Sequence, residues 1–97
     1  MATYVALLNW TDQGIKNVKD TTKRASAAGD AMQKMGVTLK ETYWTLGTYD
    51  VVAVMEAPDD ETLTAALMRL GAEGNTRTTT MRAFTSSEVD GIISRAG

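Results

Sequence analysis

Tyr49-Asp50-Val51-Val52-Ala53-Val54-Met55-Glu56-Ala57 is the stretch of sequence that decides the fold. It is short, apolar and rich in valine, and Pro58 ends it, a composition typical of a β-strand. Successive side chains of a strand point to opposite faces of its sheet, and here both faces are apolar: one carries Tyr49, Val51, Ala53 and Met55, and the other carries Val52 and Val54. One layer of helices covers only one face of a sheet, so the other face needs a second cover.

The hairpin partner of this strand is predicted over residues 37–46, with Gly47-Thr48 as a two-residue type II′ turn. Alternation within residues 37–46 places Leu39 and Tyr43 on one face, and Lys40 and Trp44 on the other. Two further strands are expected, a buried one over Thr3–Trp10 and a β-branched one over Asn75–Thr85.

Three helices fill the remaining segments, and each has a recognisable start. The first is capped by Thr11 or Asp12 and ends at Gly36, and the second is capped by Asp59. The third begins with a capping box, because Glu88 follows Thr85 by three residues. Five methionines at helical or strand spacing (Met32, Met35, Met55, Met68 and Met81) are interpreted as core residues and not as a soft-metal site.

The resulting order, β-α-β-β-α-β plus a short C-terminal helix, predicts an α+β fold. Residues 1–97 form a single ferredoxin-like domain with a four-stranded antiparallel sheet and two helices on one face. We expect the second sheet face to pack against a second copy of the chain, giving an isologous homodimer with a barrel between the sheets. The alternative is that the C-terminal helix folds over that face.

Composition excludes several classes of function. The chain has no cysteine and no histidine, which removes disulfides, thiol catalysis, thiolate zinc sites and a Ser–His–Asp triad. No metal site, and no cofactor pattern such as a P-loop, is predicted. A net charge of −2 argues against a nucleic-acid partner, and the basic patch at Lys16, Lys19, Lys23 and Arg24 is interpreted as a solvated helix face. No segment predicts a membrane span or a secretory signal, so a cytoplasmic location is the expectation.

One motif resembles a known family. The segment Trp44-Thr45-Leu46-Gly47-Thr48-Tyr49-Asp50 is similar to the Gly-x-Tyr-Asp-like hairpin that gives GYD domains their name. Segments 11–14, 57–60 and 74–80 are also similar, so the resemblance spans nearly the whole chain. It implies a ferredoxin-like fold of the dimeric α+β barrel type in a small bacterial or archaeal protein. It implies no catalytic assignment.

The hairpin also supplies the first candidate site. Trp44 and Tyr49 could stack on a planar ligand, and Asp50 could orient that ligand or accept a proton as the catalytic base. The alternative is structural: Gly47 makes the turn, Tyr49 is a strand residue, and Asp50 accepts hydrogen bonds from backbone N–H groups.

Two arginines and one strand end complete the candidate ligand-binding residues. Alternation places Arg77 and Arg82 on opposite faces of the fourth strand, where each must bind an anion, reach the rim or pair with Asp50, Glu56 or Glu41. Asn9-Trp10 could polarise a bound carbonyl or enolate, or could be an ordinary strand end.

These residues leave three functions open. The first is a homo-oligomeric module that binds a small planar or anionic molecule between sheet and helices. The second is a cofactor-independent monooxygenase or isomerase of the dimeric α+β barrel class, with Tyr49 or Asp50 as base. The third is a structural or regulatory subunit with no ligand.

Overall fold

Strands and helices follow one another in the predicted β-α-β-β-α-β order, with a further helix at the end. The computed structural model describes residues 1–97. Its elements are β1 (Ala2–Trp10), α1 (Asp12–Lys16), a 3-10 turn (Val18–Asp20), α2 (Thr21–Lys34), β2 (Thr38–Trp44), β3 (Val51–Ala57), α3 (Asp60–Ala72), β4 (Thr76–Ala83) and α4 (Ser86–Ala96).

The four strands form one sheet in the order β2-β3-β1-β4, and every neighbouring pair is antiparallel. The two most apolar strands, β1 and β3, occupy the centre. In the middle of the sheet Val5 lies between Val54 of β3 and Met81 of β4. This topology confirms the predicted ferredoxin-like α+β fold.

The core lies between one side of this sheet and the helices α2 and α3. Every second residue of β3 is buried, as the alternation predicts, and Met32 and Leu63 reach it from the helices. The remaining buried hydrophobic residues are Tyr4, Ala6, Leu8, Val37 and Ala66, and Gly14 is buried as well. Met32 and Met55 are core residues as predicted, whereas Met68 and Met81 are 71% and 47% exposed, so the prediction of a core position is wrong for those two.

A β-bulge in β2 corrects the predicted faces of that strand. Leu39 pairs with Met55 and Glu41 pairs with Val54, so Lys40 is an extra residue with no partner on β3. The extra residue reverses the alternation that follows it. Trp44 therefore lies on the same, helix-facing side as Leu39, and Tyr43 lies on the other side.

The connection between β2 and β3 is also longer than the predicted two-residue turn. It spans residues 45–50 and is closed by the Thr45 backbone N–H, which donates to the Asp50 carbonyl over 2.8 Å. Asp50 in turn donates its own N–H to the Leu8 carbonyl over 2.9 Å. Because residues 45–50 form this connection, β3 begins at Val51 and not at Tyr49.

The segment predicted as one long first helix is divided into α1, the 3-10 turn and α2. Thr11 caps α1 as predicted by accepting the Gly14 N–H over 3.1 Å. Gly14 lies directly against the chain before β4, and a Cβ at this position would stand 2.0 Å from the Asn75 carbonyl oxygen. This contact fixes the direction of α1, and the chain has to turn after Asn17 before α2 can cross the sheet.

The second side of the sheet, which we call the open sheet face, has no layer of helices over it. It carries Val5, Leu7, Val52 and Val54, all partly exposed, together with Tyr43 and Met81, which are exposed. Helix α4 begins with the predicted capping box of Thr85 and Glu88. It buries none of its side chains, so within this chain it does not provide the missing cover. None of the helices has the length and apolar character needed to cross a membrane.

Candidate functional site

A cavity of about 90 Å³ lies between the helix-facing side of the sheet and the helices α2 and α3. Its lining is mainly apolar, with 13 hydrophobic residues among 19. The strands contribute Leu8, Val51 and Met55, and α2 contributes Ala25 and Ala28. The small alanine side chains keep the space between helix and sheet unfilled.

Both tryptophans of the chain line this cavity. Trp10 ends β1 and Trp44 ends β2, and the bulge in β2 is what turns Trp44 to the helix-facing side. The Trp44 indole Nε1–H donates to the Thr21 Oγ1 over 3.0 Å, which holds the ring against the start of α2. Two of the ligand-binding residues predicted from the sequence thus contribute to one site.

Two charged residues line the same cavity, Arg24 on α2 and Glu73 directly after α3. The Arg24 guanidinium donates to the carbonyl oxygens of Asn17 and, over 3.2 Å, of Gly14. Neither Arg24 nor Glu73 takes part in either of the chain's two ion pairs. Neither charge is therefore neutralised by an ion pair within the chain.

The sequence interpretation missed Arg24, because it assigned this residue to a solvated helix face. The structure makes Arg24 half-buried and places it at the cavity, which corrects that interpretation. The available signal in the sequence was the small size of Ala25 and Ala28, which follow Arg24, because small side chains on a helix can leave a space beside it.

A polar atom inside the cavity wall also lacks a partner. Thr76 lines the cavity, and its Oγ1 is buried without a hydrogen bond. A buried hydroxyl without a partner is unfavourable by about 1–3 kcal/mol.

The remaining hairpin residues lie elsewhere and have structural contacts. The Asp50 carboxylate accepts the Trp10 backbone N–H over 2.9 Å, and Asn9 Nδ2 donates to the Thr48 carbonyl over 2.8 Å. Tyr49 accepts the Thr45 hydroxyl through its carbonyl over 2.6 Å. Asp50 and Asn9 therefore hold the β2–β3 connection against the end of β1, whereas the Tyr49 contact lies within the connection itself. None of the three lines the cavity.

The structure separates the two arginines of β4. Arg77 lies opposite Asn9 on the open sheet face, where it is exposed and has no ion pair. Arg82 lies on the other side, with its guanidinium 4.4 Å from the centre of the Phe84 ring and 3.6 Å from the Glu88 carboxylate. Its acidic partner is thus Glu88, which was not among the carboxylates proposed from the sequence. Neither arginine lines the cavity.

Three perturbed titratable groups have hydrogen-bond partners at the N-terminal ends of helices, outside the cavity. The Tyr4 hydroxyl donates to Asp60 Oδ1 over 2.5 Å, and this hydrogen bond, with burial of the ring, raises the pKa of Tyr4. The Thr62 N–H lowers the pKa of Asp59, and the Thr85 N–H lowers that of Glu88. No three side chains of the types His, Cys, Asp and Glu are grouped closely enough to hold a metal ion.

The fold and the cavity define a small ferredoxin-like α+β protein with an apolar space between sheet and helices. The chain belongs to the GYD domain family, which it matches over residues 4–93. This confirms the family resemblance seen in the Gly47-Thr48-Tyr49-Asp50 hairpin.

One curated relative is the "Glutamine synthetase and cystathionine beta-lyase binding protein" of Thermus thermophilus, which is 31% identical over 85 residues, covering 87% of this chain and 90% of the relative. A crystal structure of a Thermus thermophilus protein is 28% identical with a TM-score of 0.56, over 89% of this chain and 96% of that one. The crystal structure of a hypothetical protein from Pyrococcus horikoshii, 20% identical with a TM-score of 0.52 over 89% and 93% of the two chains, shares the fold.

Proposed function

We propose that this chain is a cytoplasmic, homo-oligomeric module that binds a small planar or anionic molecule in the cavity between sheet and helices. The observation that carries the proposal is the cavity itself. An apolar space with two indoles and one unpaired arginine is the usual composition of a small-molecule site, in which a few polar groups fix the orientation of the ligand. The residues assigned to binding are Trp10, Trp44 and Arg24.

Self-association is supported by the open sheet face. Its central residues, Val5 and Val54, are hydrophobic and partly exposed, and no element of the chain covers them. Soluble proteins rarely leave a contiguous apolar surface of this kind to solvent. A second copy that presents the same face would bury it, in the isologous manner of a two-fold dimer.

Two variants of α2 test the proposal. Ala28→Leu puts a larger side chain into the cavity, whereas Ala27→Leu makes the same change on the exposed side of the helix. Thermal unfolding would be recorded with 3-methylbutanoate or benzoate, alongside native mass spectrometry of the wild-type protein. We expect at least one carboxylate to raise Tm of the wild type and of Ala27→Leu but not of Ala28→Leu. Equal responses of the two variants, or no response to either compound, would contradict binding in the cavity.

A second candidate function is that of a subunit that binds another enzyme. It is favoured by the name of the Thermus thermophilus relative, which describes a protein that binds glutamine synthetase and cystathionine beta-lyase. Size-exclusion chromatography of this chain mixed with each of those enzymes tests it, and co-elution is the expected result.

The monooxygenase or isomerase hypothesis stays a prediction. It needs Tyr49 or Asp50 to act as a base, although the Asp50 carboxylate already accepts the Trp10 N–H. Alanine replacement of both residues would abolish turnover of a phenolic or enolic substrate if the hypothesis is right.

A further inference from the structure

We infer that the ligand of the cavity is a zwitterion with a short aliphatic group, which is the chemistry of a small α-amino acid. This inference rests on the proposed function, and it goes further by naming the class of ligand. It follows from three features of the cavity: a guanidinium, a carboxylate and a small apolar space.

Arg24 is suited to hold a carboxylate. Backbone carbonyls of Gly14 and Asn17 accept from its two terminal nitrogens, which fixes the plane of the guanidinium. A guanidinium has five N–H donors, so about three remain available after these two bonds. The planar arrangement of those donors matches the two oxygens of a carboxylate.

Glu73 is suited to hold an ammonium group. Its backbone is held on both sides, because its N–H donates to the Leu70 carbonyl over 3.2 Å and its carbonyl accepts from Gln13 Nε2 over 3.0 Å. Its carboxylate has no hydrogen bond and no ion pair in the chain, and it lines the same cavity as Arg24. A carboxylate only accepts hydrogen bonds, and an ammonium group supplies three donors.

The volume limits the apolar part of the ligand. The space of about 90 Å³ is smaller than an engineered cavity of about 150 Å³ that binds benzene. A small branched aliphatic group therefore fills this space more closely than a ring does. An isopropyl group has three carbon atoms, and the walls formed by Leu8, Val51 and Ala28 would contact it.

Three compounds with the same isopropyl group test the inference by calorimetric titration of the wild-type protein. L-Valine carries both charges, 3-methylbutanoate lacks the ammonium group, and 2-methylpropylamine lacks the carboxylate. We expect valine to bind at least about fivefold more tightly than either analogue, which corresponds to about 1 kcal/mol. Equal affinities for valine and 3-methylbutanoate would overturn the zwitterion inference and leave the proposed function intact. Absence of binding by all three compounds, with no response to benzoate either, would overturn both.

Glu73→Gln separates the role of the carboxylate from a structural one, with Glu61→Gln on the exposed first turn of α3 as its matched control. We expect Glu73→Gln to weaken the binding of valine until its affinity equals that of 3-methylbutanoate. Glu61→Gln should leave the fivefold difference between the two compounds unchanged. A different result arises if Arg24 and Glu73 neutralise each other in solution. Glu73→Gln would then leave Arg24 without its partner, and the variant would bind 3-methylbutanoate more tightly and valine no more weakly. This result would overturn the inference.

Discussion

Replacement of Gly14 by alanine should destabilise the protein, although alanine is the better helix former. The reason is the contact between α1 and the chain that leads into β4. A Cβ on residue 14 would stand 2.0 Å from the Asn75 carbonyl oxygen and 3.0 Å from the Asn75 carbonyl carbon. Both atoms belong to the backbone, so the clash is relieved only if α1 and residues 74–75 move apart.

The structure allows the size of the effect to be estimated. Overpacking of this kind costs about 1–3 kcal/mol. Separation of the segments also breaks the bond from the Thr11 N–H to the Asn75 carbonyl and the bond from the Thr11 hydroxyl to the Gly74 carbonyl, of 3.1 Å and 2.5 Å. Each such bond contributes about 1 kcal/mol, and the higher helix propensity of alanine returns about 1 kcal/mol. The net loss of unfolding free energy is therefore about 2–4 kcal/mol.

Urea denaturation followed by circular dichroism measures this quantity, with Gly71→Ala as the matched control. Gly71 lies in α3, has no atom within 4 Å of the added Cβ and does not have a positive φ, so the same change should stabilise the protein by about 0.5–1 kcal/mol. The two variants are thus expected to have opposite signs. A Gly14→Ala protein as stable as the wild type would refute the argument that backbone contact with Asn75 fixes α1.

Three further predictions concern helix termini. Thr85→Ala removes the hydroxyl half of a capping box and should destabilise α4 by about 1 kcal/mol, seen as faster hydrogen exchange confined to that helix; unchanged exchange would contradict it. The Thr62 N–H lowers the pKa of Asp59 in the folded protein below its value in the unfolded chain. The Asp59 carboxylate therefore stabilises the fold above the unfolded pKa, and this contribution is lost as the pH falls through the folded pKa. Asp59→Asn, which keeps a capping oxygen, should flatten that part of the acid-unfolding curve. Hydrogen bonding to Asp60 raises the pKa of Tyr4. The contribution of this hydrogen bond to stability is therefore complete below the ordinary phenol pKa and is lost as the pH rises through the folded pKa. Ultraviolet titration should show the Tyr4 phenol ionising at lower pH in Asp60→Asn, and an unchanged titration would contradict the assignment.

The candidate site was only partly predictable from the sequence. Trp10 and Trp44 were selected as aromatic residues near strand ends, and both line the cavity. Arg24 was not selected, because a basic residue in a helix with other basic residues ordinarily faces solvent. Only the break after α1 shows that its guanidinium reaches the carbonyls of Gly14 and Asn17 and the edge of the cavity.

The order of elements was determined by the sequence itself. Local interactions between neighbours in the chain can be predicted from residue types and their spacing. Three features are of this kind: the alternation in residues 51–57, the cap at Asp59 and the capping box at Thr85. They were sufficient to predict the β-α-β-β-α-β order and, with it, the ferredoxin-like fold.

The tertiary structure decided which of these residues meet. The bulge at Lys40 reverses the faces of β2 because Leu39 pairs with Met55 and Glu41 with Val54, and that pairing is settled by another strand. The backbone of Asn75 sets the direction of α1, and Glu73 joins Arg24 at one cavity because α2 and α3 pack on the same side of the sheet. Contacts between residues far apart in the chain depend on the packing of whole elements, and for this reason the cavity became visible only in the folded chain.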